Sequence, residues 1–465
     1  MPDATVKQAD ESALHDPSRR ATVLALAAVL ALDGADRTAL GALAPALMAE
    51  FNVGNAAIGL LASAFAIVGA IAIVPIGILT DRARRITILV VCIGIWCIAM
   101  GAAAAAWSFA LLFAARVTLG VLTAAGGPPI TSIVGDLFPP DVRGRVLGWV
   151  KSGELVGAGA GFLVAGVVVW LTSWRGAFAV LALLGVVVAV MVARVPEPRR
   201  GGENDLPGTD ERGVDAPSQL HDLVEEQHVE ADQDLVLEGD QSELAIKPAM
   251  SYVFKVKTVV LIIAASALGD VFFTALQVFG VLFLVAQFGI PASEAAILIP
   301  LVGVGGFVGV LAGGRLGDWL IEHGVLTGRV RLGAWSYLAA SVFLVPVFVA
   351  SSLVVALPFL VLAGAFLTAP IAPLEAARLD VIHPQLRGRS ESARMIARVA
   401  AQASAPLLFG VLSGALGSSE AQGLQLAFLA LLPLLAASAV CLMLAVRHYP
   451  SEVAAVEETE VVEDA

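Results

Sequence analysis

Twelve long apolar stretches constrain the fold of this 465-residue chain more than any other feature. A helix that crosses a bilayer needs about 20 consecutive, mainly apolar residues. Several stretches also contain Gly and Pro, which membrane helices tolerate. The sequence therefore predicts an all-α membrane protein with twelve transmembrane helices. These segments, numbered 1 to 12, lie near residues 21–49, 56–80, 86–106, 108–137, 143–170, 175–194, 253–287, 292–318, 330–350, 354–382, 388–415 and 423–446.

The charge distribution separates an apolar body from two acidic attachments. The chain is 58% hydrophobic and 15% charged, and its net charge is -12. Residues 201–246 contain fourteen Asp or Glu and one Arg, and residues 451–465 contain six Asp or Glu and no Lys or Arg. The remainder sums to +7, so the body is basic. Its cations are scattered between apolar segments, which excludes a nucleic-acid groove.

The positions of the basic residues predict the orientation in the membrane. Of the 28 Lys and Arg residues, 25 lie at the termini or beside the connections that follow the even-numbered segments. Connections after the odd-numbered segments carry almost none, and the positive-inside rule then places both termini in the cytoplasm. The predicted organisation is a cytoplasmic N-terminal tail (1–20), a six-helix bundle (21–198), an acidic cytoplasmic linker (199–250), a second six-helix bundle (251–449) and an acidic cytoplasmic tail (450–465).

The two halves of the chain repeat each other. Asp33 in segment 1 matches Asp270 in segment 7, and Asp81 matches Asp318, both at an offset of 237 residues. Asp136 matches Asp380, and Arg145 matches Arg389, at an offset of 244. Several matches in the same order indicate two similar six-helix bundles, which in transporters are related by an axis along the membrane normal.

The loop after segment 2 resembles a known signature. It reads G-x-L-x-D-R-x-x-R, with Gly77, Leu79, Asp81, Arg82 and Arg85, and it recurs in partial form before Asp318. The pattern resembles the signature loop of the major facilitator superfamily. The resemblance implies a secondary transporter that binds its substrate near the midplane and works by alternating access.

Charged pairs on the cytoplasmic side are predicted to act as gates. Arg82 is expected to pair with Asp136, and such pairs would hold the bundles together in one state and break in the other. The alternative is that Arg84 and Arg85 are only positive-inside anchors. The candidate gating residues are Gly77, Asp81, Arg82, Arg85, Asp136, Arg145, Asp318, Asp380, Arg389 and Arg394.

Ionisable groups at membrane depth are costly and indicate function. Helical spacing places Asp33, Asp36 and Arg37 on one face of segment 1, so that Asp33 can pair with Arg37. We expect Arg116 to bind an anionic headgroup, because a guanidinium suits phosphate or carboxylate. Satisfied ion pairs without a transport role are the alternative for each residue. The candidate substrate-binding residues are Arg37, Arg116, Asp270, Gln277 and Glu375, and the candidate proton-coupling residues are Asp33, Asp36 and Glu154.

Three stretches resemble the Spinster group of lysolipid and sphingolipid transporters. They are Asp36-Arg37 in segment 1, Arg116-Val117-Thr118-Leu119-Gly120 in segment 4, and Arg143-Gly144-Arg145 at the start of segment 5. The resemblance implies that Asp36, Arg37 and Arg116 line the central cavity. The group usually has a glutamate seven residues after the arginine, where this chain has Thr123, so another acid would have to carry the proton.

The leading hypothesis is a proton-coupled transporter of an amphipathic anionic lipid such as a lysophospholipid. The alternatives are a proton-driven exporter of drugs or other small organic molecules, and a non-transporting sensor or scaffold. We expect no enzyme activity, no cofactor, no metal and no nucleic-acid partner, because no phosphate loop, metal cluster or nucleophile pattern is present. The expected partners are the substrate, protons and the bilayer, for a monomer in a bacterial inner membrane.

Overall fold

The computed structural model describes residues 17–125, 128–138, 140–198, 223–224, 226–237, 246–383 and 386–464. These residues form helices and connecting turns, without a strand among them. The helices are α1 Pro17–Phe51, α2 Asn55–Arg82, α3 Arg85–Ala104, α4 Phe109–Ala125, α5 Pro128–Leu137, α6 Pro140–Leu171, α7 Trp174–Ala193, α8 Ile246–Lys255, α9 Lys257–Phe288, α10 Ala292–Glu322, α11 Gly328–Val349, α12 Leu353–Thr368, α13 Ile371–Asp380, α14 Arg387–Leu416 and α15 Glu420–Asp464.

Ten spans in the described residues are long and apolar enough to cross a membrane. Helices suit lipid because each satisfies its own backbone hydrogen bonds. The first predicted segment forms α1 but is not among the ten, since Asp33, Asp36 and Arg37 lie in its middle. The fourth is divided between α4 and α5, and only the short Phe109–Gly120 is apolar enough. The number of transmembrane helices predicted from the sequence, twelve, therefore stays a prediction.

The described residues divide into two compact units. Unit 1 takes its residues from Met1–Gly213, Gln277–Pro300 and Pro406–Val411, and unit 2 from Val214–Leu276, Leu301–Ala405 and Leu412–Ala465. The core of unit 1 includes the fully buried Trp96 and Phe178. In unit 2, Phe348 and Phe428 stack with ring centroids 4.7 Å apart.

Small residues bring α1 and α6 into close contact in unit 1. Gly157 of α6 lies against the backbone of Ala31, and Gly153 and Gly161 lie against the backbone one turn away on either side. Thr38 of α1 donates a hydrogen bond to the carbonyl oxygen of Ala158 at 2.8 Å. The glycine-rich sequence of segment 5 is therefore explained by close helix packing.

The two acidic attachments have more structure than the sequence indicated. The C-terminal residues continue α15 as a helix to Asp464. Residues 226–237 of the linker form turns that hydrogen bond to this continuation. The physical reason is that apolar side chains lie between the acids, among them the buried Leu235 and Val453.

Candidate functional site

Asp36 and Arg116 form a buried ion pair between α1 and α4. The Nη1 of Arg116 donates to Oδ1 of Asp36, and each side chain is 1% exposed. Trp96 donates from Nε1 to the other carboxylate oxygen at 3.4 Å, and the ring of Phe65 lies 5.0 Å from the guanidinium. The Nε of Arg116 has no hydrogen-bond partner in the described part of the chain. Arg116 is thus enclosed, with one donor atom still available.

A second group of charges lies beside this pair on the same helix. Arg37 binds Asp33 at 2.8 Å, as predicted from their spacing, and lies 3.7 Å from Glu154 of α6. The side chains of Arg37 and Glu154 are 28% and 40% exposed, whereas that of Asp33 is 10% exposed. Of the two arginines predicted to bind substrate, Arg37 is therefore the accessible one.

Arg85 joins three elements at one end of unit 1. It binds Asp136 of α5, hydrogen bonds to Ser132 Oγ at 2.9 Å, and binds Glu197 at 3.0 Å. Its side chain is 1% exposed, so the guanidinium of Arg85 contacts protein groups and not solvent. Among the described residues Asp136 binds Arg85, and the predicted pair of Asp136 with Arg82 stays a prediction because the side chain of Arg82 lies outside the described residues.

Glu197 binds the side chain of Arg85 and the backbone at the start of α3. Its two carboxylate oxygens accept the backbone N–H of Arg85 at 2.9 Å and of Ile86 at 2.8 Å, which caps the N-terminus of α3. Burial opposes ionisation of this carboxyl, but these N–H donors and the guanidinium of Arg85 outweigh it and hold the pKa of Glu197 below its usual value. Glu197 lies in no sequence motif that would mark it as a partner of Arg85.

Unit 2 contains the repeat-related counterpart of this arrangement. Arg329 binds Asp380 at 2.8 Å and Asp318 at 2.9 Å, and the hydroxyl of Tyr449 donates to Asp380 at 2.6 Å. Arg329 follows Arg85 by 244 residues, the offset that also relates Asp380 to Asp136. The two predicted gating acids, Asp318 and Asp380, therefore share one arginine. Extending the repeat comparison by this offset would have found Arg329.

A network of alternating charges connects α13 and α14. Arg378 is 3% exposed and binds Glu391 at 2.8 Å and Ser390 Oγ at 3.0 Å. Arg394 binds Glu391 at 2.8 Å through Nε and lies 3.6 Å from Glu375. Glu375, predicted to bind substrate, and Arg394, predicted to act in gating, thus belong to the same network.

Asp270 of α9 is half-buried in unit 2 near two arginines. It lies within electrostatic range of Arg398 and Arg394, and of the buried Tyr337. Neither Asp270 nor Arg398 forms an ion pair within 4.0 Å to any residue that the structure describes. Gln277 lies on α9 within unit 1, where its backbone carbonyl packs against Gly41 of α1.

Some predicted residues cannot be placed by their side chains. The positions lie on α2, α6 and α14, but their side chains fall outside the described residues: Gly77, Asp81, Arg82, Arg145 and Arg389. The same holds for Thr123 on α4. Within the described part of the chain, no group of three His, Cys, Asp or Glu could hold a metal ion.

Comparison with known proteins identifies the family. The model of the Major Facilitator Superfamily matches residues 26–389. The chain is 28% identical to protein spinster of Drosophila melanogaster over 192 residues, which cover 40% of this chain and 32% of that protein. It is 25% identical to an MFS-type efflux pump of Mycolicibacterium smegmatis over 455 residues, which cover 96% of each.

A solved structure shares the fold. A bacterial homolog of the human lysosomal transporter Spinster, crystallised in an inward-facing and unoccupied conformation, matches with a TM-score of 0.75 and 21% identity. The match covers 94% of this chain and 98% of that one. The chain therefore belongs to the Major Facilitator Superfamily, a family of membrane transporters, and resembles Spinster, of whose Drosophila member the match spans about a third.

Proposed function

We propose that this protein moves an amphipathic anionic lipid, such as a lysophospholipid, across a bacterial inner membrane by proton-coupled alternating access. The observation that carries the proposal is that α1 contributes to two neighbouring ion pairs, one fully buried and one partly exposed. Asp36 and Arg116 are enclosed, whereas Arg37 keeps 28% of its side chain exposed. The likeness to protein spinster, which involves 40% of the chain, supports the lipid class.

The anionic headgroup is assigned to the arginines. A guanidinium can bind phosphate or carboxylate through two donors at once. Arg37 has an Nε without a hydrogen-bond partner in the described residues, and so does Arg116. Arg37 makes the first contact with the headgroup because it is accessible, and Arg116 becomes available when it leaves Asp36.

Proton coupling follows from competition for Arg116. A buried carboxylate that loses its cation is costly unless it takes up a proton. If an anionic substrate binds Arg116, Asp36 must therefore either move or become neutral. In this mechanism Asp36 carries the proton, while Asp33 and Glu154 keep Arg37 in place. The Arg85 and Arg329 clusters act as the two gates on the cytoplasmic side.

A proteoliposome assay tests the substrate class and the residue roles together. Fluorescent lysophosphatidylglycerol is the anionic probe, and lysophosphatidylcholine is the zwitterionic comparison. Arg37→Gln should lower lysophosphatidylglycerol transport. Arg175→Gln is the matched control, because it also removes a partly exposed arginine from an ion pair, outside the candidate site. The side chains of Arg175 and its partner Glu50 are 41% and 42% exposed. No transport of either probe by the wild type would refute the lipid proposal.

The second candidate is export of small organic molecules. It is favoured by the efflux pump of Mycolicibacterium smegmatis, whose similarity extends over 96% of both chains. Overexpression would then confer resistance to such compounds, and Asp36→Asn would abolish that resistance. Resistance without lysolipid transport would select this candidate over the first.

A further inference from the structure

The linker and the C-terminal helix contact each other inside unit 2. We call residues 226–237 the strap and residues 451–464 the extension. The N–H of Asp232 donates to the carbonyl oxygen of Ser451 at 3.1 Å, and the N–H of Leu237 donates to Thr459 Oγ1 at 3.1 Å. The side-chain amide of Gln233 donates to Glu458 at 2.9 Å. Two segments far apart in the sequence are thus joined by both backbone and side-chain hydrogen bonds.

Apolar side chains bury the contact between the strap and its surroundings. Leu235 of the strap and Val453 of the extension are 4% and 2% exposed. Tyr252 of α8 is also buried, and its hydroxyl donates to the carbonyl oxygen of Leu235 at 3.1 Å. Burial, reinforced by the nearby Glu452 carboxylate, raises the pKa of Tyr252 to about 12, so this hydroxyl remains a donor.

Glu452 links the extension to the start of α9. Its side chain is 1% exposed, and its carboxylate accepts the N–H of Lys257 at 2.8 Å and of Thr258 at 3.0 Å. These are the first two residues of α9. A carboxylate at this position satisfies unpaired N–H groups and complements the positive end of the helix dipole. The extension therefore supplies the N-terminal cap of a helix to which it is not directly connected.

We propose that the strap and the extension form a latch that positions α9 through Glu452 and opens during transport. α9 carries Asp270, so a change at its N-terminus alters the helix that bears a candidate substrate-binding group. Glu452 is accordingly a positioning residue. This proposal goes beyond the assignment of a substrate, because it concerns the control of a helix and not what the protein carries.

The charges of the two segments explain why the latch can open. The strap contains four acidic residues, the extension contains six, and neither contains Lys or Arg. Apolar contacts and hydrogen bonds hold the two segments together, while repulsion between like charges opposes them. Opposing contributions of this kind leave a contact that can be released without disrupting the cores of the two units.

A reversible crosslink tests whether the latch must open. Gln233→Cys combined with Glu458→Cys, in a protein whose three native cysteines are replaced, places two thiols where the side chains hydrogen bond. Closing them with a short disulfide-forming crosslinker should lower lysophosphatidylglycerol transport about tenfold, as expected for a gating step. Reductant should restore transport, and the crosslinker should not slow transport by either single-cysteine variant. The proposal would be overturned if the crosslinked protein transported as fast as the same protein with its two thiols free.

Hydrogen exchange tests the hold on α9 without any substrate. Glu452→Gln should speed amide exchange in the first turn of α9 by about tenfold, the effect of losing a good cap. Glu452→Asp should restore part of the protection, and Glu458→Gln should leave this turn unchanged. Wild-type exchange in Glu452→Gln would refute the role of Glu452. If Glu452→Gln speeds the exchange but the wild type moves no lysolipid, the substrate proposal fails and the capping of α9 by Glu452 stands.

Discussion

Replacing Gly157 by Ala tests the packing that holds α6 against α1. A Cβ at Gly157 would overlap the carbonyl group and the Cα of Ala31, and backbone atoms cannot rotate away as a flexible side chain can. Gly159, two residues along the same helix, has no atom within 4 Å of an added Cβ. Gly159→Ala is therefore a matched control in which the same methyl group enters open space.

The expected magnitude comes from two opposing contributions. Changing Gly to Ala in a helix favours folding by about 1 kcal/mol in both variants. Extra volume in a packed interface typically costs about 1–3 kcal/mol, and only Gly157→Ala meets that cost. Helix propensity cancels between the two, so Gly157→Ala should be about 1–3 kcal/mol less stable than Gly159→Ala.

Thermal unfolding of the two variants in the same detergent measures the difference. Gly159→Ala should unfold at or above the wild-type midpoint, and Gly157→Ala should unfold below it. Because Glu154 lies three residues before Gly157, a displaced α6 should also change its 3.7 Å separation from Arg37 and lower transport. Equal midpoints for the two variants would refute the argument that α1 and α6 approach too closely for a side chain at Gly157.

Three other changes should give distinct results. Asp36→Asn alone leaves the Arg116 charge buried without its carboxylate and should cost about 3–5 kcal/mol of stability. Asp36→Asn combined with Arg116→Gln should recover much of this loss in the same unfolding assay. A double variant as unstable as the single one would contradict this. Because the pKa of Glu197 is lowered by folding, its contribution to stability is complete above the usual glutamate pKa of about 4.3. That contribution is lost as the pH falls through the lower folded-state pKa. Glu197→Gln should therefore be less stable than the wild type at neutral pH and equally stable in acid. A deficit of equal size at every pH would count against that contribution. Arg329→Gln should reduce transport and stability more than Arg331→Gln, which removes an exposed charge two residues away, and equal transport rates would exclude Arg329 from gating.

The charged sites were predicted in part because helical spacing is a local property. The pair of Asp33 and Arg37 is four residues apart on one helix, and the structure confirms their contact. The partner of Asp136 was not predictable in this way. Arg82 is the last residue of α2 and Arg85 is the first residue of α3, and the orientation of α3 allows Arg85 to reach Asp136. Glu197 belongs to the Arg85 cluster and Tyr449 belongs to the Arg329 cluster. Both come from distant parts of the chain, and no sequence pattern marks them.

Hydropathy, the distribution of basic residues and the internal repeat by themselves predicted a helical membrane protein with two similar halves, and the loop after segment 2 added the resemblance to the major facilitator superfamily. These properties depend on residues that are close in the sequence or separated by one of two repeat offsets, 237 and 244 residues. Only the tertiary structure decided that Arg116 is sealed against Asp36 while Arg37 stays partly exposed, and that Glu452 caps α9. The reason is that burial and pairing depend on which helix faces meet, and contacts between residues 80 or 195 positions apart have no local signature.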